Sequence, residues 1–120
     1  MEATGPVILV IDDEPAIRDI MRRTLEGEGY RVWEAPDGMK GLELFNAHPT
    51  EIALILIDLH MPRLSGYEVT AAVRKIDPEV KVMVVTGYPP VHPDRLEGVQ
   101  VIKKPLKINE LIRAVEAAFS

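Results

Sequence analysis

Four short runs along the chain are dense in β-branched and other apolar residues: Val7–Ile11, Ala53–Ile57, Val80–Val85 and Val99–Ile102. A fifth, Arg31–Ala35, is weaker. A strand with one wet face alternates apolar and polar residues. Ala53–Ile57 is apolar throughout, and Val80–Val85 is broken only by Lys81, so these two read as strands covered on both faces. Between the runs the spacing changes to three and four. Ile17, Ile20, Met21, Thr24 and Leu25 share one helical face, as do Val69, Ala72, Val73 and Ile76, and again Ile108, Leu111, Ile112, Val115 and Phe119; Asp37–Ala47 is a weaker fourth. Gly29 and Asp77-Pro78 read as stop signals. Strand and helix alternate five times, which predicts an α/β fold: a parallel sheet with right-handed crossovers and helices on both faces. One crossover is poor in helix. Pro89, Pro90 and Pro93 lie between the fourth and fifth strands, and a proline inside a helix costs about 3 kcal/mol. The fourth helix is therefore short or irregular and starts near Pro93.

The 120 residues suit one domain, with positions 1–120 read as a single unit lacking a linker or repeat. At 47% hydrophobic residues the chain can bury a core without staples. The absence of cysteine excludes disulfides, thiolate zinc sites, iron–sulfur clusters and a thiol nucleophile. The formal charge of -5 argues against direct nucleic-acid binding or an anionic membrane as partner. No apolar run approaches a membrane span, and MEATGP is not a signal peptide, so the expected location is cytoplasmic.

In a parallel α/β sheet the strands end at one edge, where ligands bind. The residues following each strand are thus the candidate chemistry. Asp12, Asp13 and Glu14 follow the first strand, Asp58 the third, Thr86 and Gly87 the fourth, and Lys103, Lys104 and Pro105 the fifth. Three aspartates, a hydroxyl and a lysine would gather on one rim. Carboxylates crowded together resist joint ionisation, and one lysine is not enough to offset them. A hard divalent cation with oxygen ligands resolves the imbalance, and Mg²⁺ fits best, with Mn²⁺ as the substitute ion, because it needs few protein carboxylates and keeps some of its waters. A carboxylate beside such an ion can accept a phosphoryl group, with the ammonium and hydroxyl stabilising the transferring oxygens. Singly, each residue has a plainer role. Asp12-Asp13 can cap a helix, Asp58 can make a turn, Thr86 can end a strand, and Lys104 can be solvated. Their joint placement at four strand ends favours the chemistry.

The stretches Ile8-Leu9-Val10-Ile11-Asp12-Asp13-Glu14-Pro15, Leu56-Ile57-Asp58-Leu59-His60-Met61-Pro62 with Ser65-Gly66, Val84-Val85-Thr86-Gly87 and Lys103-Lys104-Pro105 together resemble the receiver domain of bacterial two-component response regulators. The turn Ala35-Pro36-Asp37-Gly38 resembles the family as well. The resemblance implies a flavodoxin-like, doubly wound, five-stranded parallel sheet in the order 2-1-3-4-5. It implies that Asp58 is the phosphoacceptor and that Asp12 and Asp13 are the acidic pair. Asp13 would touch Mg²⁺ directly and Asp12 largely through water, with Asp58 and the backbone carbonyl of His60 as further ligands. Thr86 matches the switch hydroxyl. Lys104, not Lys103, matches the lysine that pairs with the phosphoryl group, since the family lysine directly precedes the proline. The Lys104–Pro105 bond is expected to be cis.

The implied partners are a histidine kinase or phosphotransfer domain as donor, and an output domain or a second copy through the 88–119 face. The domain would catalyse its own modification without turning over an external substrate. Two departures bear on switching. Val101 stands where the family usually has Tyr or Phe, and the segment from Tyr88 to Pro93 replaces a fuller helix. Three alternatives remain: a pseudo-receiver that only binds partners, an aspartyl-phosphate phosphohydrolase, and a nucleotide or flavin binder. The second would want an acid where His60 stands, and the third a glycine-rich loop where Asp12-Asp13-Glu14-Pro15 stands. His48, His60 and His92 lack metal-ligand spacing. His60 lies where it can influence the lifetime of a phosphate on Asp58. Trp33 is assigned to packing, and Tyr67 and Tyr88 to partial exposure.

Overall fold

In a computed structural model, residues 5–120 are described, and they form five strands and four helices in strict alternation apart from one short 3-10 turn. The strands are β1 (Val7–Ile11), β2 (Arg31–Ala35), β3 (Ile52–Ile57), β4 (Lys81–Thr86) and β5 (Gln100–Lys103). The helices are α1 (Pro15–Gly27), α2 (Gly38–Ala47), α3 (Gly66–Ile76) and α4 (Ile108–Phe119), and the 3-10 turn is Pro93–Leu96. The sheet is parallel, in the order β2-β1-β3-β4-β5. The parallel sheet is what the alternation predicts, and its doubly wound strand order is what the resemblance implies.

Side chains on alternate strand residues feed two cores. Leu9, Ile11, Ile55, Ile57 and Val84 pack with Phe45 of α2 and with Val69 and Val73 of α3. Ile8, Val10, Leu54, Leu56 and Val85 pack with Met21 and Leu25 of α1 and with Leu111 and Val115 of α4. β1 is buried over its whole length, which is why its five residues are all apolar.

β4 and β5 each begin one residue later than the apolar runs suggest, for a local reason. The Val80 N–H donates to Asp77 O at 3.2 Å, closing the turn at Pro78, and the Val99 N–H donates to Leu96 O at 2.9 Å. Both amides are thereby withdrawn from the ladder. At the stop signals, Gly29 adopts φ 93°, a left-handed conformation that glycine takes without a Cβ penalty. Asp77 closes α3. The 3-10 turn starts at Pro93, as the proline pattern predicts. No described helix is long and apolar enough to cross a membrane.

Tyr67 departs from its expected partial exposure. It is 6% exposed, because its ring lies under the Pro93–Leu96 segment. Its hydroxyl accepts from the His92 N–H at 3.2 Å, and the Arg95 guanidinium sits 5.0 Å from its ring centroid. A cation over an aromatic face and a hydrogen bond together tether a segment too proline-rich to form a helix. Tyr88, by contrast, is exposed, and Trp33 is partly buried against the α2–α3 core.

Candidate functional site

Strand register builds the site. Ile11 lies opposite Ile57, and the Asp58 N–H donates to Ile11 O at 3.1 Å, so the residues immediately beyond β1 and β3 are neighbours. The Asp12 N–H donates to Ala35 O at 3.3 Å, fixing that residue to β2 as well. On the other side Thr86 lies opposite Lys103, and the Lys104 N–H donates to Thr86 O at 2.8 Å. The Lys104–Pro105 peptide is cis, as the resemblance implies. Four strand ends thus deliver Asp12, Asp58, Thr86 and Lys104 to one rim.

At the centre is the Lys104 ammonium. Its Nζ lies 3.0 Å from Asp12 Oδ2, 3.1 Å from Asp58 Oδ2 and 3.2 Å from Glu14 Oε1. The contacts to Asp58 and Glu14 are aligned hydrogen bonds. Asp12 Oδ2 is fully buried, and the Lys104 ammonium at 3.0 Å is its one polar contact among the described residues. The other Asp12 oxygen, Oδ1, accepts from the Glu14 N–H at 2.9 Å. The helix-cap role open to Asp12 and Asp13 falls instead to Glu14, whose side chain makes no cap bond, leaving it free to turn toward Lys104. Arg18 Nη1 donates to the Asp12 carbonyl at 2.7 Å, and its Nε faces Glu34 of β2 at 3.5 Å, which braces the loop from behind.

The electrostatics are unbalanced. Carboxylate oxygens of Asp12, Asp13, Glu14 and Asp58 all lie within 4.8 Å of one another, around one ammonium. Burial pushes Asp12 above its ordinary range, outweighing the Glu14 N–H and Lys104, which favour its charge; the Asp58 carboxylate adds to the rise. Burial alone would push Lys104 down, but its hydrogen bonds and attraction to Asp12 and Asp58 win and hold it well above its usual value. A carboxyl with a raised folded value contributes stability that is present below the unfolded value and lost as pH rises through the folded one. Ionised Asp12 is therefore a cost at neutral pH, which an added cation would relieve.

Thr86 completes the rim. It is buried, and its Oγ1 finds no hydrogen-bond partner among the described residues. A hydroxyl stripped of water without a partner is costly, so its position beside the acids points to a visiting acceptor. His60 stands in the loop after β3. Its N–H donates to Asp58 Oδ1 at 3.2 Å, and its ring packs edge-on against Tyr88, centroids 5.4 Å apart. His48 and His92 lie elsewhere, against Trp33 and Tyr67. Sequence reading missed Glu14 as a member of the site. The residue is plain in the Asp-Asp-Glu run, but only the backbone path at the head of α1 reveals its reach to Lys104.

The floor under Asp58 is set by Gly66. A Cβ there would come within 2.5 Å of Asp58 O and 2.8 Å of Leu59 Cα, both unyielding backbone atoms. The Gly66 N–H donates to Leu59 O at 3.1 Å, and Ser65 caps α3 in a reciprocal box with Glu68. Gly66→Ala is expected to cost about 2 kcal/mol of stability by overpacking. Urea titration measures this loss, and a shifted amide resonance at Asp58 reports the displaced loop.

Comparison with known proteins gives a consistent picture. A family model for the response regulator receiver domain matches residues 8–116. The uncharacterized transcriptional regulatory protein YkoG of Bacillus subtilis is 34% identical over 116 residues, covering 92% of this chain and 50% of that protein. Response regulator MprA of Mycobacterium ulcerans is 35% identical over 115 residues, covering 92% of this chain and 48% of its own length. The chain spans about half the length of these curated relatives. Among solved structures, the response regulator TrrA of Thermotoga maritima, in complex with Mg²⁺ and BeF, superposes with a TM-score of 0.85 at 30% identity, covering 94% of this chain and 98% of that one. A response regulator receiver domain protein from Clostridium thermocellum gives a TM-score of 0.84 at 31% identity, covering 94% and 93%.

Proposed function

The chain belongs to the response regulator receiver domain family, and from that premise we propose that it is a phosphoacceptor switch. Asp58 takes a phosphoryl group from a phosphohistidine on a histidine kinase or phosphotransfer domain. Lys104, Thr86, Asp12 and Asp13 form the machinery around it. The observation that carries this reading is the Lys104 ammonium set between Asp12 and Asp58 at 3.0 and 3.1 Å, at the strand ends, with an unpartnered Thr86 hydroxyl on the same rim.

The donor set fits a divalent cation. Its oxygens are clustered and hard, and the buried Asp12 Oδ2 has only the Lys104 ammonium as a polar contact among the described residues. Asp13, Asp58 and the His60 carbonyl would hold Mg²⁺, with Asp12 acting through water. When bound, the ion supplies charge neutralisation to the pocket and to phosphoryl oxygens. The chain's own residues do the rest. An Asp58 oxygen attacks phosphorus in line as the bond from phosphorus to the donor's imidazole nitrogen breaks, and the imidazole leaves with the bonding electrons. The Lys104 ammonium and Thr86 hydroxyl donate hydrogen bonds to the phosphoryl oxygens. The added charge on Asp58 then draws Thr86 inward.

The output surface in this reading is the 88–119 face, offered to an output domain or a second copy of the chain. The aromatic swing usual in the family has no counterpart here. Val101, opposite Val84 on the edge strand, is 40% exposed and bears no ring. The tethered Tyr88–Leu96 segment is left to respond to Thr86.

Incubation with acetyl phosphate and Mg²⁺ is expected to add one phosphoryl group per chain by mass spectrometry, and EDTA is expected to prevent it. Without phosphodonor, Mg²⁺ at a hundred times its dissociation constant should stabilise the fold by about 2.7 kcal/mol. Asp13→Asn is expected to remove most of that gain in thermal melts. A parent protein whose melting is indifferent to Mg²⁺ would favour the pseudo-receiver instead.

A further inference from the structure

Asp13 is an exposed member of the acidic cluster, and its own groups are untied. Among the described residues neither its N–H nor its carboxylate makes a hydrogen bond or an ion pair, yet its carboxylate stands within 4.8 Å of those of Asp12, Glu14 and Asp58. Its place is therefore set by the two peptide planes on either side of it. The plane that follows is tied where the Glu14 N–H donates to Asp12 Oδ1 at 2.9 Å. The plane that precedes it holds the Asp12 C=O and the Asp13 N–H as one rigid unit. No backbone N–H reaches that carbonyl among the described residues; Arg18 Nη1 does, at 2.7 Å. Asp12 is fully buried, so water cannot stand in for the guanidinium. We propose that Arg18 is a positioning residue for Mg²⁺: by holding the Asp12 carbonyl, it aims the Asp13 carboxylate at the ion. The inference rests on the Mg²⁺-dependent phosphoacceptor reading above.

Arg18 suits the task because it is itself anchored. It stands one turn into α1, its side chain is 17% exposed, and its Nε faces Glu34 of β2 at 3.5 Å. Glu34 is held in turn by Arg22 Nε at 3.0 Å, one turn further along α1. A planar guanidinium serves Asp12 O and Glu34 from one fixed fork, whereas a lysine ammonium ends one bond short of the Nη1 position. The sign of the effect separates positioning from charge. Arg18 is a cation near a cation site, so by charge alone its removal would tighten Mg²⁺ binding. Loss of positioning weakens binding even though a competing positive charge has gone. A purely structural role would lower the unfolding free energy and leave the affinity of the folded protein untouched.

The experiment titrates Mg²⁺ into the parent, Arg18→Met and Arg18→Lys at one ionic strength, following amide resonances of residues 56–60 by NMR. Positioning predicts Mg²⁺ binding about tenfold weaker in Arg18→Met, the size expected for a group that orients a metal ligand. A smaller loss of the same sign is expected in Arg18→Lys. Before Mg²⁺ is added, both variants should show a lower amide order parameter at Asp13 than the parent. Tighter binding by Arg18→Met assigns Arg18 to charge alone and overturns the proposal, as does parental affinity in both variants. Weaker binding with the Asp13 order parameter unmoved overturns the route through Asp13. Should Arg18→Met not fold, Arg18→Lys, which keeps the charge, decides by the same two measurements. Failure of the parent itself to bind Mg²⁺ removes the phosphoacceptor reading beneath the proposal, a result seen without any substitution and so distinct from the others.

Discussion

Asp58→Asn is expected to take up no phosphoryl group from acetyl phosphate or a phosphorylated kinase under conditions that label the parent fully, a loss on the order of 10³-fold or more. The substitution removes the nucleophile and little else. The side-chain oxygen that accepts the His60 N–H is retained in asparagine, as is the volume beneath the Lys104 ammonium. Stability should hardly fall. The variant gives up a charged partner of Lys104, but it also removes the neighbouring carboxylate that helps drive Asp12 upward. The two effects oppose each other, so unfolding free energies within about 1 kcal/mol of the parent are expected from urea titration. That pairing makes the test decisive, because lost labelling in a fully folded protein can only be lost chemistry. Persistent labelling would move the acceptor to another carboxylate of the cluster, with Asp13 and Glu14 as the next nucleophiles to replace.

The ease with which the site could be read from sequence has a physical source. A parallel sheet buried on both faces needs uninterrupted apolar runs, so β1, β3 and β4 announce themselves, and the first polar residue after each run marks the sheet edge. Although Lys104 was told from Lys103 only by the resemblance, in which the lysine directly precedes the proline, Asp12, Asp58 and Thr86 were therefore legible once the strands were placed. Features that depend on side-chain direction were not. Glu14 lies in the Asp-Asp-Glu run, yet its turn toward Lys104 follows from an extended conformation at the head of α1 (φ -93°, ψ 110°), which no periodicity encodes. Tyr67 sits one residue into α3 next to the glycine that approaches Asp58. Its burial depends on where the Pro93–Leu96 segment crosses, a long-range matter. The one-residue delay in β4 and β5 arises from turn hydrogen bonds that compete for the amides of Val80 and Val99, two residues whose composition is pure strand. What is local or periodic was visible; what depends on the meeting of distant loops was not.

The largest effect on stability is expected from Lys104→Met. Methionine fills the space of the lysine stem without its charge, so packing is nearly kept and the electrostatics stand alone. The parent ammonium is only 12% exposed and faces a fully buried Asp12 and a nearly buried Asp58. Removing one member of such a buried pair leaves uncompensated charge and costs about 3 kcal/mol at neutral pH. The pH dependence identifies the cause. Asp12 already sits above its ordinary value through burial, and without Lys104 it loses two of the influences that pull it down. A carboxyl so raised leaves stability intact below its unfolded value of about 3.9 and removes it as pH climbs through the higher folded value. The lysine adds no slope of its own in that range. Its contribution, belonging to an amine held above its usual value, is complete below about pH 10.4 and fades only in more alkaline solution. The deficit of the variant should thus be small near pH 4 and widen toward pH 7. Mg²⁺ should then stabilise the variant more than the parent, because the ion takes over a neutralising duty that Lys104 otherwise shares. Denaturation at pH 4.5 and 7.0, with and without Mg²⁺, measures all three effects. A deficit that ignores both pH and Mg²⁺ would mean that the loss is one of packing and that the acidic rim is not held in check by this lysine.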